Sequence, residues 1–285
     1  MPDDLLQFRD LTFADIPVGV ALCRTARWNQ LQRDWELLLK LSTAGCRAAV
    51  KADQVVGTVT TVSYQDCVSW IGMVLVDPNE RRQGIGSKLL QEALDALKDQ
   101  PLVGLDATPA GREVYLKLGF TDDCRLSRLE TVVANLSFEE TNRARRMSEA
   151  DFAQVFALDR KVFGADRRAL LEWLFFGAAE YAWVAEREGR IIGYTLGRHG
   201  FNFEQLGPVI AEDTQTAKQL VSACLAKQIG KPFILDAMHH DSEWLRWLDS
   251  VGFREQRPFI RMFRGKAPVL GVPENQFAIP GPEFG

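Results

Sequence analysis

The stretch Trp70-Ile71-Gly72-Met73-Val74-Leu75-Val76-Asp77-Pro78-Asn79-Glu80-Arg81-Arg82-Gln83-Gly84-Ile85-Gly86-Ser87-Lys88-Leu89-Leu90 decides how the rest of the chain is read. Ile71 to Val76 is an apolar run, rich in Val and Ile, of the length of a buried strand. Asp77-Pro78-Asn79 ends it, because proline cannot donate to a ladder and Asp and Asn favour turns. Two arginines and a Gln-Gly-Ile-Gly turn lead into an amphipathic helix with the stripe Leu89, Leu90, Ala93, Leu94 and Leu97. A helix start flanked by glycines presents unpaired backbone N–H groups with the positive end of the helix dipole behind them, which is the chemistry of a phosphate or pyrophosphate site. Gly84 and Gly86 let the backbone approach the anion, and Arg81 and Arg82 add charge. No Gly-Lys-Ser/Thr follows the glycines, so this is not a nucleotide-binding P-loop.

Working outward, 285 residues suffice for two domains of ordinary size. With 46% hydrophobic and 25% charged residues, the composition is that of a soluble globular protein. A net charge of -4 speaks against nucleic acid as a general partner. No apolar run approaches the ~20 residues that span a bilayer, so no membrane partner is expected. Met-Pro-Asp-Asp lacks the basic start and apolar core of a signal peptide. Cys23, Cys46, Cys67, Cys124 and Cys224 are scattered, with no Cys-x-x-Cys pair. They read as free thiols of a cytoplasmic protein without a metal site.

Before the quoted stretch, a helical region reaching Leu41 is interrupted around Trp28-Asn29 and Asp34-Trp35, and residues 46–50 and 55–64 form a hairpin. After it come a strand at 103–106, a helix at 108–118 capped by Gly119, and a strand at 128–136. The same order then recurs. Helices at 149–162 and 169–176 precede a hairpin at 182–186 and 190–198. A strand at 205–210, a helix at 214–229, a strand at 233–236 and a helix at 242–250 complete the repeat. Val56-Gly57 matches Ile192-Gly193, Leu105-Asp106-Ala107 matches Leu235-Asp236-Ala237, and Gly119-Phe120 matches Gly252-Phe253. The reading is a tandem duplication: residues 1–136, residues 137–264 with the join near 137–146, and a Pro/Gly-rich tail, 265–285, extended on the surface.

The constellation from Val76 to Gly86 resembles the pyrophosphate loop of the GNAT superfamily of acetyl-CoA-dependent N-acyltransferases. Tyr115-Leu116-Lys117-Leu118-Gly119-Phe120 is similar to that family's later helix and strand. The first half carries the resemblance strongly and the second by architecture only, an arrangement that looks like the YitH-like two-domain proteins. The fold class implied is α/β (α+β), with two tandem domains, each a mixed, mainly antiparallel sheet flanked by helices. The resemblance assigns the backbone N–H groups of Gln83, Gly84, Ile85, Gly86 and Ser87 to the pyrophosphate of acetyl-CoA. It gives Val74 and Val76 to the pantetheine arm, added as an extra strand would be. It makes the N–H of Val74 the group that polarises the thioester carbonyl, and Tyr115 the acid for the departing thiolate. Where many members carry Asn, this chain has Thr108, and where a glutamate often acts as base, it has Trp70. The base is therefore unassigned, with Asp66, Asp106 and a water relay all open.

Trp28-Asn29 and Asp34-Trp35 fall on the acceptor side in that family, so Trp28 and Asn29 are the candidate substrate residues, in an aromatic-walled amine pocket. In the repeat, the equivalent loop Ile210-Ala211-Glu212-Asp213-Thr214 has no glycine and no arginine. Its two carboxylates would cap a helix rather than bind a pyrophosphate. His239-His240-Asp241 reads as a satisfied surface or interface group. The expected activity is acetyl transfer from acetyl-CoA to an amine, of a small molecule in the first instance, with the second half shaping the acceptor site. A protein lysine or N-terminus as acceptor, and a non-catalytic acyl-CoA sensor, are the alternatives. Acceptor identity and oligomeric state are not encoded in any motif.

Overall fold

The computed structural model describes residues 5–42, 44–133, 144–265 and 270–285, so most of the expected join at 137–146 lies outside the described residues. The first half runs β1 (Gln7–Asp10), α1 (Ile16–Thr25), α2 (Gln32–Leu41), β2 (Arg47–Lys51), β3 (Gln54–Tyr64), β4 (Val68–Val76), α3 (Ile85–Ala96), β5 (Leu102–Ala107), α4 (Pro109–Lys117) and β6 (Thr121–Val132). The second repeats the order as β7 (Ala144–Arg146), α5 (Phe152–Phe163), α6 (Arg168–Gly177), β8 (Trp183–Arg187), β9 (Arg190–Arg198), β10 (Glu204–Ala211), α7 (Thr214–Leu225), β11 (Pro232–Met238), α8 (Ser242–Ser250) and β12 (Arg254–Gly265). A short additional strand follows, β13 (Gln276–Ile279).

The duplication is visible in local chemistry. Before α1, the Thr12 N–H donates to Asp15, which also takes two hydrogen bonds from Arg9. Before α5, Ser148, Asp151 and Arg145 do the same. In each half the chain therefore enters its first helix through a capping carboxylate held by an arginine.

Among the described residues the strands join in a single thirteen-stranded sheet in the order β1-β2-β3-β4-β5-β12-β6-β11-β13-β10-β9-β8-β7. The last strands of the two halves are exchanged. β12 lies between β5 and β6, and β6 lies against β11. The exchange explains the repeated Leu-Asp-Ala. Asp106 on β5 sits opposite Arg261 of β12, and Asp236 on β11 sits opposite Arg128 of β6, each pair joined by two hydrogen bonds and buried. A buried ion pair adds little net stability, but removing one partner strands a charge and costs about 3–5 kcal/mol. These two pairs therefore lock the halves in register. On one face α1, α2, α5 and α6 share a core with Trp35, Trp70 and Phe284 in it, while α3 and α7 cover the other face of their own halves.

From residue 276 on, the tail is not on the surface; residues 266–269 lie outside the described residues. Residues 276–279 are all buried, β13 pairs with both β10 and β11, and Glu283 and Phe284 beyond it are buried as well. Phe277 packs against Trp244, whose indole N–H donates to the Phe277 carbonyl. Apolar side chains at Phe277, Ile279 and Phe284 supply enough burial to order a segment whose prolines and glycines give no periodic signal.

Candidate functional site

β4 and β5 run parallel but pair only at Ser69–Val103 and Trp70–Gly104, and then part. Past that point β4 carries a bulge: its register on β3 slips between Thr58 and Thr60, and Met73 takes φ +50°. A non-glycine residue in that conformation is strained, and such strain gathers at functional sites. The splay leaves a groove of about 1720 Å3, its open mouth included, lined by Val74 and Val76 of β4, Arg81, Arg82, Gly84, Ile85, Gly86 and Ser87 of the loop, and Val114 and Tyr115 of α4.

The loop is shaped as the glycines require. Gly84, at φ +80°, is the residue before α3, and a Cβ there would meet nothing within 4 Å. At Gly86 a Cβ would touch only Val76, at 3.6 Å. The backbone is thus bare toward the groove at the start of a twelve-residue helix. Arg82 sits at φ +64°, and Arg81 Nε donates to the Val76 carbonyl at 3.2 Å, tying the loop to the end of β4. Gln83 contributes its backbone only, since its side-chain amide donates to Glu80 at 2.9 Å. This cradle fits a pyrophosphate and the split fits an extended arm.

Tyr115 stands where the groove meets a second cavity, of about 670 Å3, and lines both, as do Trp28 and Val74. Its ring lies over Gly111, where a Cβ would come within 3.0 Å of it, and edge-on to Phe120. Burial pushes its phenol up to about 12. The hydroxyl therefore keeps its proton at neutral pH and offers an O–H donor to a developing anion.

The second cavity is walled by both halves. Ile71, Met73, Asp106, Thr108 and Gln30 come from the first, and Arg257, Phe259, Pro282 and Glu283 from the second. Of the residues expected to form an amine pocket, only Trp28 lines it. Asn29 is a correction: its amide nitrogen donates to the Phe203 carbonyl, and its oxygen accepts from the N–H groups of Asn202 and Phe203. That amide is spent clamping the loop between β9 and β10. Asp34 and Trp35 are likewise structural, Asp34 ion-paired to Arg198 and Trp35 wholly buried in the shared core.

Asp66 lies in the β3–β4 turn and does not reach the cavity. Asp106 does line it. Burial works against its charge, but Arg261 holds both its oxygens. Thr108 caps α4, accepting the Gly111 N–H at 3.2 Å. Several lining residues carry no signal in the sequence, Gln30 and Glu283 among them. Gln30 sits beside the Trp28-Asn29 pair that drew notice, and Glu283 lies in a tail without periodicity.

In the second half Asp213 accepts the Thr216 N–H and caps α7, while Glu212 pairs with Arg190. The equivalent split, between β10 and β11 beyond Leu206–Leu235, is filled by β13. His239 is bonded to Ser127, His240 packs on Phe277, and Asp241 caps α8.

Comparison with known proteins finds matches along both halves. A model of the acetyltransferase (GNAT) family matches residues 10–120, and a second, of an acetyltransferase (GNAT) domain, matches residues 155–278. The chain is 28% identical over 243 residues to holothin acyltransferase of Pseudoalteromonas sp. (strain SANK 73390), covering 85% of this chain and 82% of that protein. It is 27% identical over 205 residues to the uncharacterized N-acetyltransferase YitH of Bacillus subtilis (strain 168), covering 70% and 71%. Among solved structures, a putative acetyltransferase from Pyrococcus horikoshii superposes with a TM-score of 0.82 at 20% identity, covering 98% of this chain and 96% of that one.

Proposed function

Because the chain belongs to the GNAT superfamily of acyltransferases, in its tandem two-domain form, we propose that its first half transfers an acetyl group from acetyl-CoA to the amine of a small molecule. In this reading the second half completes the acceptor site. The observation that carries the proposal is the shared wall. Tyr115, Val74 and Trp28 line both the donor groove and the acceptor cavity, so a thioester held in one meets a nucleophile held in the other.

The pyrophosphate docks on the backbone from Gln83 to Ser87 with Arg81 and Arg82 beside it, and the pantetheine arm lies along Val74 and Val76. The Val74 N–H polarises the thioester carbonyl. A neutral amine attacks the carbonyl carbon, the C–S bond breaks, and Tyr115 protonates the sulfur. The cavity, closed on one side by Pro282 and Glu283, suits a small acceptor better than a protein chain. The name of the Pseudoalteromonas relative, which states acyl transfer to holothin, favours the same class. All five cysteines are free, which supports a reducing compartment, the cytoplasm.

A screen of small primary amines for CoA release identifies the acceptor. With it, Tyr115→Phe lowers kcat by about 10²-fold or more, while the CoA dissociation constant from calorimetry stays within about twofold. Unchanged turnover in Tyr115→Phe would remove the tyrosine from the mechanism. CoA binding with no turnover of any amine would leave a sensor.

A further inference from the structure

The acceptor cavity holds a carboxylate that comes from the tail. Glu283 lies over Gly72 of β4, where an added Cβ would stand 2.9 Å from the Glu283 Cα and 3.0 Å from its Cβ. Only a residue without a side chain admits the tail there. The approach is fixed from three sides. The Trp70 indole N–H donates to the Pro282 carbonyl at 2.8 Å, the Tyr64 hydroxyl donates to the Phe284 carbonyl at 2.8 Å, and an Arg167 guanidinium N–H donates to the Gly285 carbonyl at 2.8 Å. Glu283 itself is 3% exposed.

Its two oxygens are used differently. Oε1 accepts from Arg198 at 2.6 Å and from Gln30 Nε2 at 2.9 Å, whereas Oε2 receives no hydrogen bond from any described residue. Gln30 is also buried, and its own amide oxygen has no donor among the described residues. That oxygen is correctly assigned, because the other end of the amide faces a carboxylate, which can only accept. Gln30 Oε1 is thus a buried oxygen without a donor, and Glu283 Oε2, on a residue that lines the same cavity, receives none either. A buried polar atom left unpaired is destabilising, and a primary amine brings the N–H groups these two oxygens lack.

Resting on the acetyltransfer reading above, we propose that Glu283 and Gln30 form the amine-recognition site, and that Glu283, supplied by the tail of the second half, accepts the proton the amine loses. The N–H groups of the neutral amine donate to Glu283 Oε2 and Gln30 Oε1. As the C–N bond forms, the nitrogen becomes cationic and strongly acidic, and one proton passes to Glu283. The C–S bond breaks, and the sulfur takes the Tyr115 proton. Glu283 then releases its proton to solvent and Tyr115 regains one, so the sum is amine plus acyl-CoA giving amide plus CoA thiol. Burial works to raise the Glu283 pKa, but the Arg198 charge and the Gln30 hydrogen bond outweigh it, so the group is lowered overall and stands ready as carboxylate. Asp106 lines the same cavity but has both oxygens committed to Arg261.

Hydroxylamine, small enough for any acceptor cavity and largely uncharged at pH 7, tests this on the full chain without knowledge of the natural acceptor. With saturating acetyl-CoA, Glu283→Gln should lower catalysed, hydroxylamine-dependent CoA release by about 10²-fold and leave the CoA dissociation constant within about twofold. Gln30→Met should instead raise the hydroxylamine KM by about fivefold to tenfold with a much smaller change in kcat. Release by Glu283→Gln at the wild-type rate would overturn the assignment while leaving the acetyltransfer reading intact. An equal loss of CoA affinity and turnover would reduce Glu283 to a structural part and overturn it too. If the wild type itself binds CoA but releases none above background, the acetyltransfer reading fails and this inference falls with it.

Discussion

Between β4 and β5 the sheet opens and stays open, while between β10 and β11 it opens and is closed by residues 276–279 of the same chain. Both splits follow a parallel pairing of two or three residues, and both precede a helix that starts at the end of the fourth strand of its half. What differs is the occupant. The first split faces a glycine-cradled helix start with two arginines, and the second faces a helix start capped by Asp213 with Glu212 beside it. One half leaves its split open. The other uses the same edge hydrogen bonds to hold its own strand, and then continues that strand into the cavity of the first half. On the function proposed above, the duplication is divided into a donor-binding half and an acceptor-completing half.

Emptying the filled split tests this most severely. Phe277 is 2% exposed and packs between Trp244 and His240. Phe277→Ala should cost about 3–5 kcal/mol of stability, read from denaturant unfolding. Because β13 leads to Glu283, amine turnover should fall even where the protein remains folded, with CoA affinity preserved. An effect confined to stability, with the amine KM unchanged, would show that β13 only plugs the sheet.

That coupling was the part least visible in the amino-acid sequence. Most helices with an apolar stripe and strands with apolar runs lie within a few residues of where the pattern puts them, and α8, at Ser242–Ser250, is read without error; β6 is the exception, read at 128–136 but lying at Thr121–Val132, with 134–136 outside the described residues. The Gly84–Gly86 turn announced itself, because glycine at a helix start has few other physical uses. β12 did not. Arg254-Glu255-Gln256-Arg257-Pro258 is polar, carries a proline and is bulged, yet the strand occupies the middle of the sheet, where a proline argues against a strand. Strand exchange depends on pairings across a hundred residues or more, and β13 on pairings across 41 to 69, which no local period records. Asn29 and Trp35 had the right composition for a site but were claimed by tertiary contacts with Phe203 and with the shared core.

The open split has its own test of intermediate size. Arg81 and Arg82 are exposed at the groove, and replacing each by Ala should weaken CoA binding by about 1 kcal/mol, or roughly fivefold, less at high salt. Arg190, paired to Glu212 at the corresponding loop of the second half, should be replaceable with no change in CoA affinity. Calorimetry should give one CoA per chain. A second CoA site, or equal losses from Arg190→Ala and Arg82→Ala, would break the division of labour.

The smallest difference concerns the point where the halves remain most alike. Asp15 and Asp151 each cap the start of their half, and each is lowered to about 2, first by hydrogen bonds from an arginine, Arg9 or Arg145, against the opposing effect of burial. A carboxyl group depressed in the folded state contributes stability that is present above its unfolded value and is lost as pH falls through about 2. Asp15→Asn and Asp151→Asn should therefore each destabilise at neutral pH, and the difference from wild type should shrink between pH ~4 and ~2. Because Arg9 and Arg145 are themselves close to half exposed, water screens the pairs and each loss should stay near or below about 1 kcal/mol. The two should not be equal. When Asp151 is replaced, Arg145 keeps Glu186 at 2.9 Å, whereas Arg9 has no second carboxylate among the described residues. Asp15→Asn should thus cost the more of the two, and the reverse order in acid-unfolding curves would mean that the shared motif is set by packing rather than by its charges.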